Sequence, residues 1–186
     1  MQFLVVDANV LIDFCKTQPS LLTLVSRHVG TIHVASPVLA EVHELDAKRA
    51  HELGLVIVPP ELAIVRDAAL SAKRSPLGFQ DWICLLLAEQ QSWICVTNEK
   101  RLRSECETGN VPVMWEFQLL LELVKCRALT AEDALAAANA IAGINRRIPA
   151  TVVAAFAQKL IALSRRSEGT RRSSSRCPSC PRPRHK

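Results

Sequence analysis

The stretch Phe3-Leu4-Val5-Val6-Asp7-Ala8-Asn9-Val10-Leu11-Ile12 decides the fold class of this chain. Four consecutive apolar residues before Asp7 are typical of a strand that is buried on both faces of a parallel sheet. The apolar residues after Asp7 begin a helix. A carboxylate at the carboxyl end of such a strand lies in the crevice where open α/β sheets bind their ligands. The sequence therefore predicts a site that begins with Asp7.

The rest of the chain alternates between strand and helix patterns as far as Met114. Besides 2–6, strands are predicted at 32–35, 55–58, 93–97 and 111–114. Helices are predicted over 9–16, 19–27, 36–50, 61–71, 79–91 and 100–106. Strands joined by such helices form right-handed βαβ units and a mainly parallel sheet. Because residues 116–164 carry helical patterns alone, the predicted fold is an α/β/α sandwich with additional C-terminal helices.

The formal net charge of +5 is distributed unevenly along the chain. Residues 165–186 contain eight Lys/Arg and one Glu, a net charge of +7, whereas residues 1–164 contain 15 basic and 17 acidic groups, a net charge of −2. We predict one domain over 1–164, with a helical extension from about 116. A basic disordered tail over 165–186 follows, because its Arg, Ser and Pro composition cannot bury a core. Such a tail attracts phosphate without specificity.

Cysteine use and hydropathy indicate a reducing compartment. Five cysteines occur singly in apolar or helical patterns, as small buried hydrophobes do: Cys15, Cys84, Cys95, Cys106 and Cys126. Because we find neither a signal-peptide pattern nor the roughly 18 apolar residues of a membrane span, we expect a cytoplasmic protein with no membrane partner. In the tail, Cys177, Cys180 and His185 offer part of a four-ligand zinc site, and a flexible basic tail is the favoured interpretation.

Three further acidic residues fall at places equivalent to that of Asp7. Glu41 lies one turn into the helix predicted from Ser36, Asp81 lies in the first turn of the helix from Phe79, and Glu99 follows the fourth strand. Each has an ordinary alternative. Glu41 could be a solvated helix acid, and Asp81 and Glu99 could gain about 0.3 to 1 kcal/mol at the positive end of a helix. Together they predict several carboxylates at one sheet edge, which are costly to bury without a cation.

The ordered set of motifs resembles the PIN domain over about residues 2–115. The motifs are Val5-Val6-Asp7-Ala8-Asn9-Val10-Leu11-Ile12, Glu41 after Ser36-Pro37, Asp81 in an apolar helix, and Val96-Thr97-Asn98-Glu99-Lys100-Arg101-Leu102. The family includes the VapC-type toxin ribonucleases. The resemblance implies a Mg²⁺- or Mn²⁺-dependent ribonuclease with Asp7, Glu41 and Asp81 as metal ligands. It also implies an RNA substrate, a small antitoxin partner and a homodimer.

The fourth acidic position departs from the family pattern. Family members often have Asp there, and this chain has Glu99, whose side chain is one methylene longer. The resemblance implies that Glu99 is the fourth catalytic and metal-binding acid. Its longer side chain affects whether a second metal ion binds and how fast the chain cleaves RNA. The chemistry is consistent with a metal, because Mg²⁺ takes oxygen ligands and can activate a water for phosphodiester hydrolysis without a Ser, Cys or His nucleophile.

Residues around these acids have supporting interpretations. Thr97 and Asn98 are predicted to orient ligands indirectly, and Asn9 either does the same or caps the first helix. Lys100, Arg101 and Arg103 either contact RNA phosphates or form a solvated helix face. Asp13 and Glu44 are interpreted as peripheral to the site.

Three other functions compete with a nuclease. A haloacid-dehalogenase-like phosphatase needs a second Asp two residues after the first, where this chain has Asn9. A receiver domain expects an acidic pair after the first strand and a Lys late in the sheet, and neither is apparent. A catalytically weak PIN-like module that binds RNA or acts as a scaffold stays open, and Glu99 is the feature that favours it.

Overall fold

The computed structural model describes residues 2–174, and of residues 166–174 the backbone alone. Its strands are β1 (Gln2–Val6), β2 (Gly30–Ala35), β3 (Val56–Val58), β4 (Ile94–Val96) and β5 (Val113–Met114). They form one sheet in the order β3-β2-β1-β4-β5, and all of its pairings are parallel. From β1 the chain adds β2 and β3 on one side of the sheet, and it then crosses to the other side of β1 to add β4 and β5. The carboxyl end of β1 is therefore the topological switch point, where sheets of this kind bind ligands.

Helices join and cover these strands on both sides. Within the described residues they are α1 (Ala8–Thr17), α2 (Ser20–His28), α3 (Ser36–Leu39), α4 (Ala47–Glu52), α5 (Leu62–Ala72), α6 (Phe79–Gln91), α7 (Lys100–Thr108), α8 (Glu116–Lys125), α9 (Ala131–Ile144) and α10 (Ala150–Ser174). Helix α6 packs against β1 and β4, α2 packs against β2, and α9 contacts α1, α8 and α10. The predicted α/β/α architecture, its parallel sheet and its C-terminal helices are confirmed.

Strand β1 is central because its side chains are apolar on both faces. Leu4, Val5 and Val6 are completely buried, and Leu4 pairs with Ile32 of β2 on one side and with Ile94 of β4 on the other. A fully buried aliphatic side chain of this size contributes about 1.5 to 3 kcal/mol relative to an exposed one. This burial fixes the position of Asp7, the next residue in the chain.

The helix predicted over 36–50 is wrong, because the structure divides it. Helix α3 ends at Leu39, residues 40–46 form turns, and α4 begins after Asp46. The Asp46 side chain accepts a hydrogen bond of 2.7 Å from the Arg49 amide, which caps the new helix. Val42 and Leu45 are nevertheless buried. Their helix-like spacing reflects two turns that face the core, and Glu41 consequently lies in a turn and is exposed.

The chain beyond the core differs from the prediction at its start. The backbone of residues 165–174 continues α10, where we predicted that a disordered tail begins. The remaining predicted tail, with Cys177, Cys180 and His185, lies outside the described residues. Over the stretch that the structure covers, we find no helix that is both long enough and apolar enough to cross a membrane.

Candidate active site

Asp7 lies at the switch point and is the N-cap residue of α1. Its side chain is buried, with 3% of the residue exposed. The Asp7 amide donates a hydrogen bond of 3.0 Å to the Val96 carbonyl, and the Thr97 hydroxyl donates one of 2.9 Å to Asp7 Oδ2. Because both partners come from the end of β4, the carboxylate is held across the two strands that flank the crevice.

The surroundings of Asp7 disfavour its charge. Burial, and then the charge of Asp81, raise its pKa from 3.8 to about 6, against the opposing hydrogen bonds from Thr97 and Asn9. When burial and a like charge raise the pKa of a carboxylate in this way, a nearby cation stabilises its ionised form.

Glu41 and Asp81 share one cleft with Asp7. The cleft has a volume of about 630 Å³, and Asn9 also lines it. Asp81 lies in the first turn of α6, where its Oδ2 accepts a hydrogen bond of 3.1 Å from the Gly78 amide. Burial and then the charge of Asp81 raise the pKa of Glu41, and burial raises the pKa of Asp81. The charge of Asp81 therefore acts on both of the other acids, although Asp81 also has the helix-capping role that was its alternative.

Glu99 lies at the edge of this group and does not line the cleft. It is the N-cap residue of α7, its side chain accepts a hydrogen bond of 3.4 Å from the Arg101 amide, and Arg147 lies 3.8 Å away. The Thr97 hydroxyl accepts a hydrogen bond of 3.0 Å from the Glu99 amide. Since the charge of Glu99 helps to raise the pKa of Asp81, it still contributes to the negative potential of the site.

The types of ligand atom in the cleft suit a hard divalent cation. The side chains that line the cleft offer carboxylate and amide oxygens, which are the ligands that Mg²⁺ and Mn²⁺ take. Among the described residues, however, no three His, Cys, Asp or Glu side chains lie together as a ready-made metal-binding group. Asp7, Glu41 and Asp81 would have to move closer together to hold an ion. Their mutual repulsion opposes this movement without an ion, and a bound cation would neutralise the repulsion.

A second buried acidic pair, Asp13 and Glu116, lies next to the site. Glu116 is completely buried and Asp13 is 6% exposed, and the two side chains lie close enough for each to shift the pKa of the other. Glu116 Oε2 accepts a hydrogen bond of 2.6 Å from Asn98, and Asp13 Oδ2 accepts one of 2.6 Å from Asn145. Burial, and then the charge of Asp13, hold the pKa of Glu116 well above its usual range. Glu116 Oε1 has no donor among the described residues, so a protonated Glu116 can donate to Asp13.

The sequence interpretation overlooked this pair. It placed Asp13 at the periphery and did not single out Glu116 or Asn145. The signal was available, because Glu116 follows β5 by two residues, and an acid after a parallel strand is the feature that identified Asp7. Glu116 was interpreted only as the start of a helix.

The supporting residues divide between the two acidic groups. The amide and side chain of Asn9 bond to Asp7, and Asp7 itself is the N-cap residue of α1, so the alternative role of Asn9 as the cap is wrong. Thr97 contacts Asp7, whereas the Asn98 side chain contacts Glu116. Of the three predicted RNA contacts, Lys100 and Arg103 line a cavity beside the cleft and Arg101 does not.

Comparison with known proteins finds similarity to solved structures alone. No family model and no curated protein matches the chain. A solved structure that is similar is that of a PilT N-terminus domain protein from the hyperthermophilic archaeon Sulfolobus solfataricus P2. It has 12% sequence identity and a TM-score of 0.44, over 64% of this chain and 92% of that one. The PilT N-terminus domain is the PIN domain. A likeness at this identity concerns the backbone and leaves the chemistry to the chain's own residues.

Proposed function

We propose that this protein is a metal-dependent endoribonuclease that hydrolyses RNA phosphodiester bonds at the carboxylate cleft. The observation that supports this most is the position of Asp7, a buried carboxylate at the switch point of a parallel sheet that shares one cleft with Glu41 and Asp81. Such a group is costly to maintain in a protein unless a cation or a reaction uses it.

Asp7, Glu41 and Asp81 are the residues that would hold Mg²⁺ or Mn²⁺, with Glu99 as a fourth acid at the edge. A bound divalent ion lowers the pKa of a water and stabilises the leaving oxygen of a phosphodiester. The chain's own contribution is positioning. The Thr97 hydroxyl holds Oδ2 of Asp7, and Asn9 also donates to this carboxylate. Thr97 also holds the Glu99 amide, so one hydroxyl sets the positions of two of the four acids.

The biological setting rests on the sequence resemblance. Similarity to VapC-type toxins supports a toxin component of a toxin–antitoxin pair, or a relative of one, with a small antitoxin partner and a homodimeric state. These three features are proposed together with a location in the cytoplasm.

A catalytically weak RNA-binding or scaffold module is the second candidate. The observation that favours it is the orientation of Glu99, which caps α7 and lies near Arg147 and is absent from the lining of the cleft. A protein of this kind would keep the fold and the acidic cleft and would lack turnover.

The test compares wild type with Asp7→Asn on a mixed RNA pool, with Mn²⁺ or with EDTA, and maps the ends that form. Asp67→Asn is the matched control, because it makes the same change at an exposed acid that is paired with the neighbouring Arg66. We expect wild type and Asp67→Asn to cleave with Mn²⁺ alone and Asp7→Asn to be inactive. Equal cleavage by wild type and Asp7→Asn would exclude the nuclease assignment.

A further inference from the structure

A second cavity, of about 690 Å³, adjoins the carboxylate cleft. Asn9 and Ile12 of α1 line both spaces. The other walls come from the segment after β4, from Trp115 and Phe117, and from residues 144–149, which include the connection between α9 and α10. The volume lies within the roughly 300 to 1,000 Å³ that is usual for small-molecule sites. A ligand in this cavity would therefore lie directly beside the proposed reaction site.

Positive charge is concentrated in the lining of this cavity. Its basic residues are Lys16, Lys100, Arg103, Arg146 and Arg147, and its acidic residues are Asp13 and Glu99. Residues 1–164 carry a net charge of −2, so five of their 15 basic residues lie around one cavity in a body that is otherwise acidic. A local excess of cations in such a body attracts phosphate groups.

An aromatic side chain is held in place in the same wall. Trp115 is 40% exposed, and the Arg103 guanidinium carbon lies 3.9 Å from the centre of its ring. Arg103 Nη1 donates a hydrogen bond of 2.7 Å to the Asn98 carbonyl, which fixes the guanidinium in turn. A ring that is already ordered loses little freedom when a ligand stacks on it. Flat aromatic surfaces beside basic groups are the usual means by which proteins bind unpaired bases.

We propose that this cavity binds one unpaired nucleotide of a single-stranded RNA whose neighbouring phosphate lies at the carboxylate cleft. The base stacks at Trp115, and Lys16, Lys100 and Arg146 contact the flanking phosphates. The choice of RNA as ligand rests on the proposed function. The strand is single because a paired base would have to leave its stack to enter a concave site of this kind.

The test measures binding without cleavage. A fluorescently labelled single-stranded oligoribonucleotide is titrated with the full chain in EDTA at about 0.15 M salt, where the basic tail is partly screened, and its anisotropy is followed. The variants are Trp115→Ala and Arg146→Glu. Arg74→Glu is the matched control, because it reverses an exposed charge that lies outside the cavity lining. Arg146 is exposed, so Arg146→Glu should fold even if Trp115→Ala does not.

We expect Trp115→Ala to weaken binding about tenfold, in line with the loss of one base–aromatic stack. Arg146→Glu should weaken it several-fold and reduce the dependence of log K on log salt, since fewer phosphates are neutralised. Arg74→Glu should bind as wild type does within about twofold, because its charge is outside the cavity. A duplex of the same sequence should be insensitive to Trp115→Ala.

The proposal is overturned if Trp115→Ala and Arg146→Glu bind the strand as tightly as Arg74→Glu does. It is also overturned if a poly-glutamate peptide displaces the RNA with the same dependence on Trp115, because the cavity would then be a site for acidic protein segments. Cleavage plays no part in this measurement. If the protein binds RNA through Trp115 but does not cleave it, the proposed nuclease is refuted and the proposed nucleotide site is supported. If the protein cleaves RNA but its binding does not depend on Trp115, the nuclease is supported and the nucleotide site is refuted.

Discussion

Two acidic pairs lie along α1, one at its N-terminus and one farther along it, and the residues around them differ. At the first end, Asp7 shares its cleft with Asp81, and each keeps a carboxylate that burial makes costly. Farther along the helix, Asp13 lies beside Glu116, where a proton on Glu116 can bridge the two acids, and the amides of Asn98 and Asn145 each donate to one oxygen of the pair. Asp7 and Asp81 line the carboxylate cleft, whereas Asp13 borders the neighbouring cavity and Glu116 is completely buried.

The difference separates a binding site from a structural element made of the same chemical groups. Buried acids that share a proton and receive amide donors have no need of an outside ligand. Acids that repel each other and share no proton do, because a cation would remove the cost of their charge. The partners of a carboxylate, more than its burial, therefore indicate which acids take part in chemistry.

The largest expected effect is on cleavage. Asp81→Asn should lower the cleavage rate at least about 100-fold, since it removes one charge from a proposed metal site that contributes several kcal/mol. Glu116→Gln should leave the rate within about threefold, because the Gln amide can donate to Asp13 as a protonated Glu does. Rates are measured on one RNA under single-turnover conditions. Similar losses from both substitutions would mean that the two acidic pairs do not differ in role.

The second effect concerns pH and stability in EDTA. Folding raises the pKa of Asp7 from 3.8 to about 6, so the folded chain binds this proton more tightly than the unfolded chain. Ionisation of Asp7 therefore lowers the free energy of unfolding as pH rises through this window, by about 3 kcal/mol at 1.36 kcal/mol for each unit of pKa. Asp7→Asn lacks this loss. From pH values below 3.8 to pH values above 6, the free energy of unfolding of Asp7→Asn should rise relative to that of wild type by this amount.

Denaturant unfolding of both proteins across this range measures the difference directly. Asp67→Asn is the control, since its side chain is exposed and its difference from wild type should stay nearly constant. If the difference in free energy of unfolding between wild type and Asp7→Asn stayed constant with pH, folding would not raise the pKa of Asp7.

The third effect concerns the Asp13–Glu116 pair. Glu116→Ala should lower the free energy of unfolding by about 2 kcal/mol, because Asn98 and Asp13 lose a partner inside the protein. Glu116→Gln should cost less than about 1 kcal/mol, since both hydrogen bonds can be kept. Urea unfolding at neutral pH distinguishes the two. If Gln were as harmful as Ala, Glu116 would be ionised and the shared proton would be excluded.

The smallest effect is stabilisation by metal. Mn²⁺ at ten times its dissociation constant should raise the free energy of unfolding of wild type by about 1.4 kcal/mol through binding linkage. Asp7→Asn should melt higher than wild type in EDTA and gain less from Mn²⁺, whereas Glu116→Gln should gain as much as wild type. Thermal melts with and without the ion provide the comparison. A wild-type melting temperature that does not respond to millimolar Mn²⁺ would favour the module without a metal site.

The sequence predicted the sheet better than it predicted the surroundings of the site. Strand 2–6 was correct to the residue because an apolar run with Asp7 after it has one stable arrangement in a parallel sheet. The prediction of one helix over 36–50 was wrong because Val42 and Leu45 have the spacing of a helix face, although both lie in turns whose side chains pack into the core. The roles of Asp13 and Glu116 depend on which side chains meet over a long separation, and such pairing leaves no trace in local periodicity.

The hydrogen bond from Asn145 to Asp13 joins residues that are 132 positions apart. During synthesis at about 5 to 20 residues per second, roughly 7 to 26 seconds pass between the appearance of the two partners. Until α9 has been made, one wall of the cavity is missing and Asp13 lacks its amide donor. A nascent chain can thus assemble β1, β2 and the first acids of the cleft well before it can form the neighbouring cavity. The order of translation itself delays the moment at which the whole site exists.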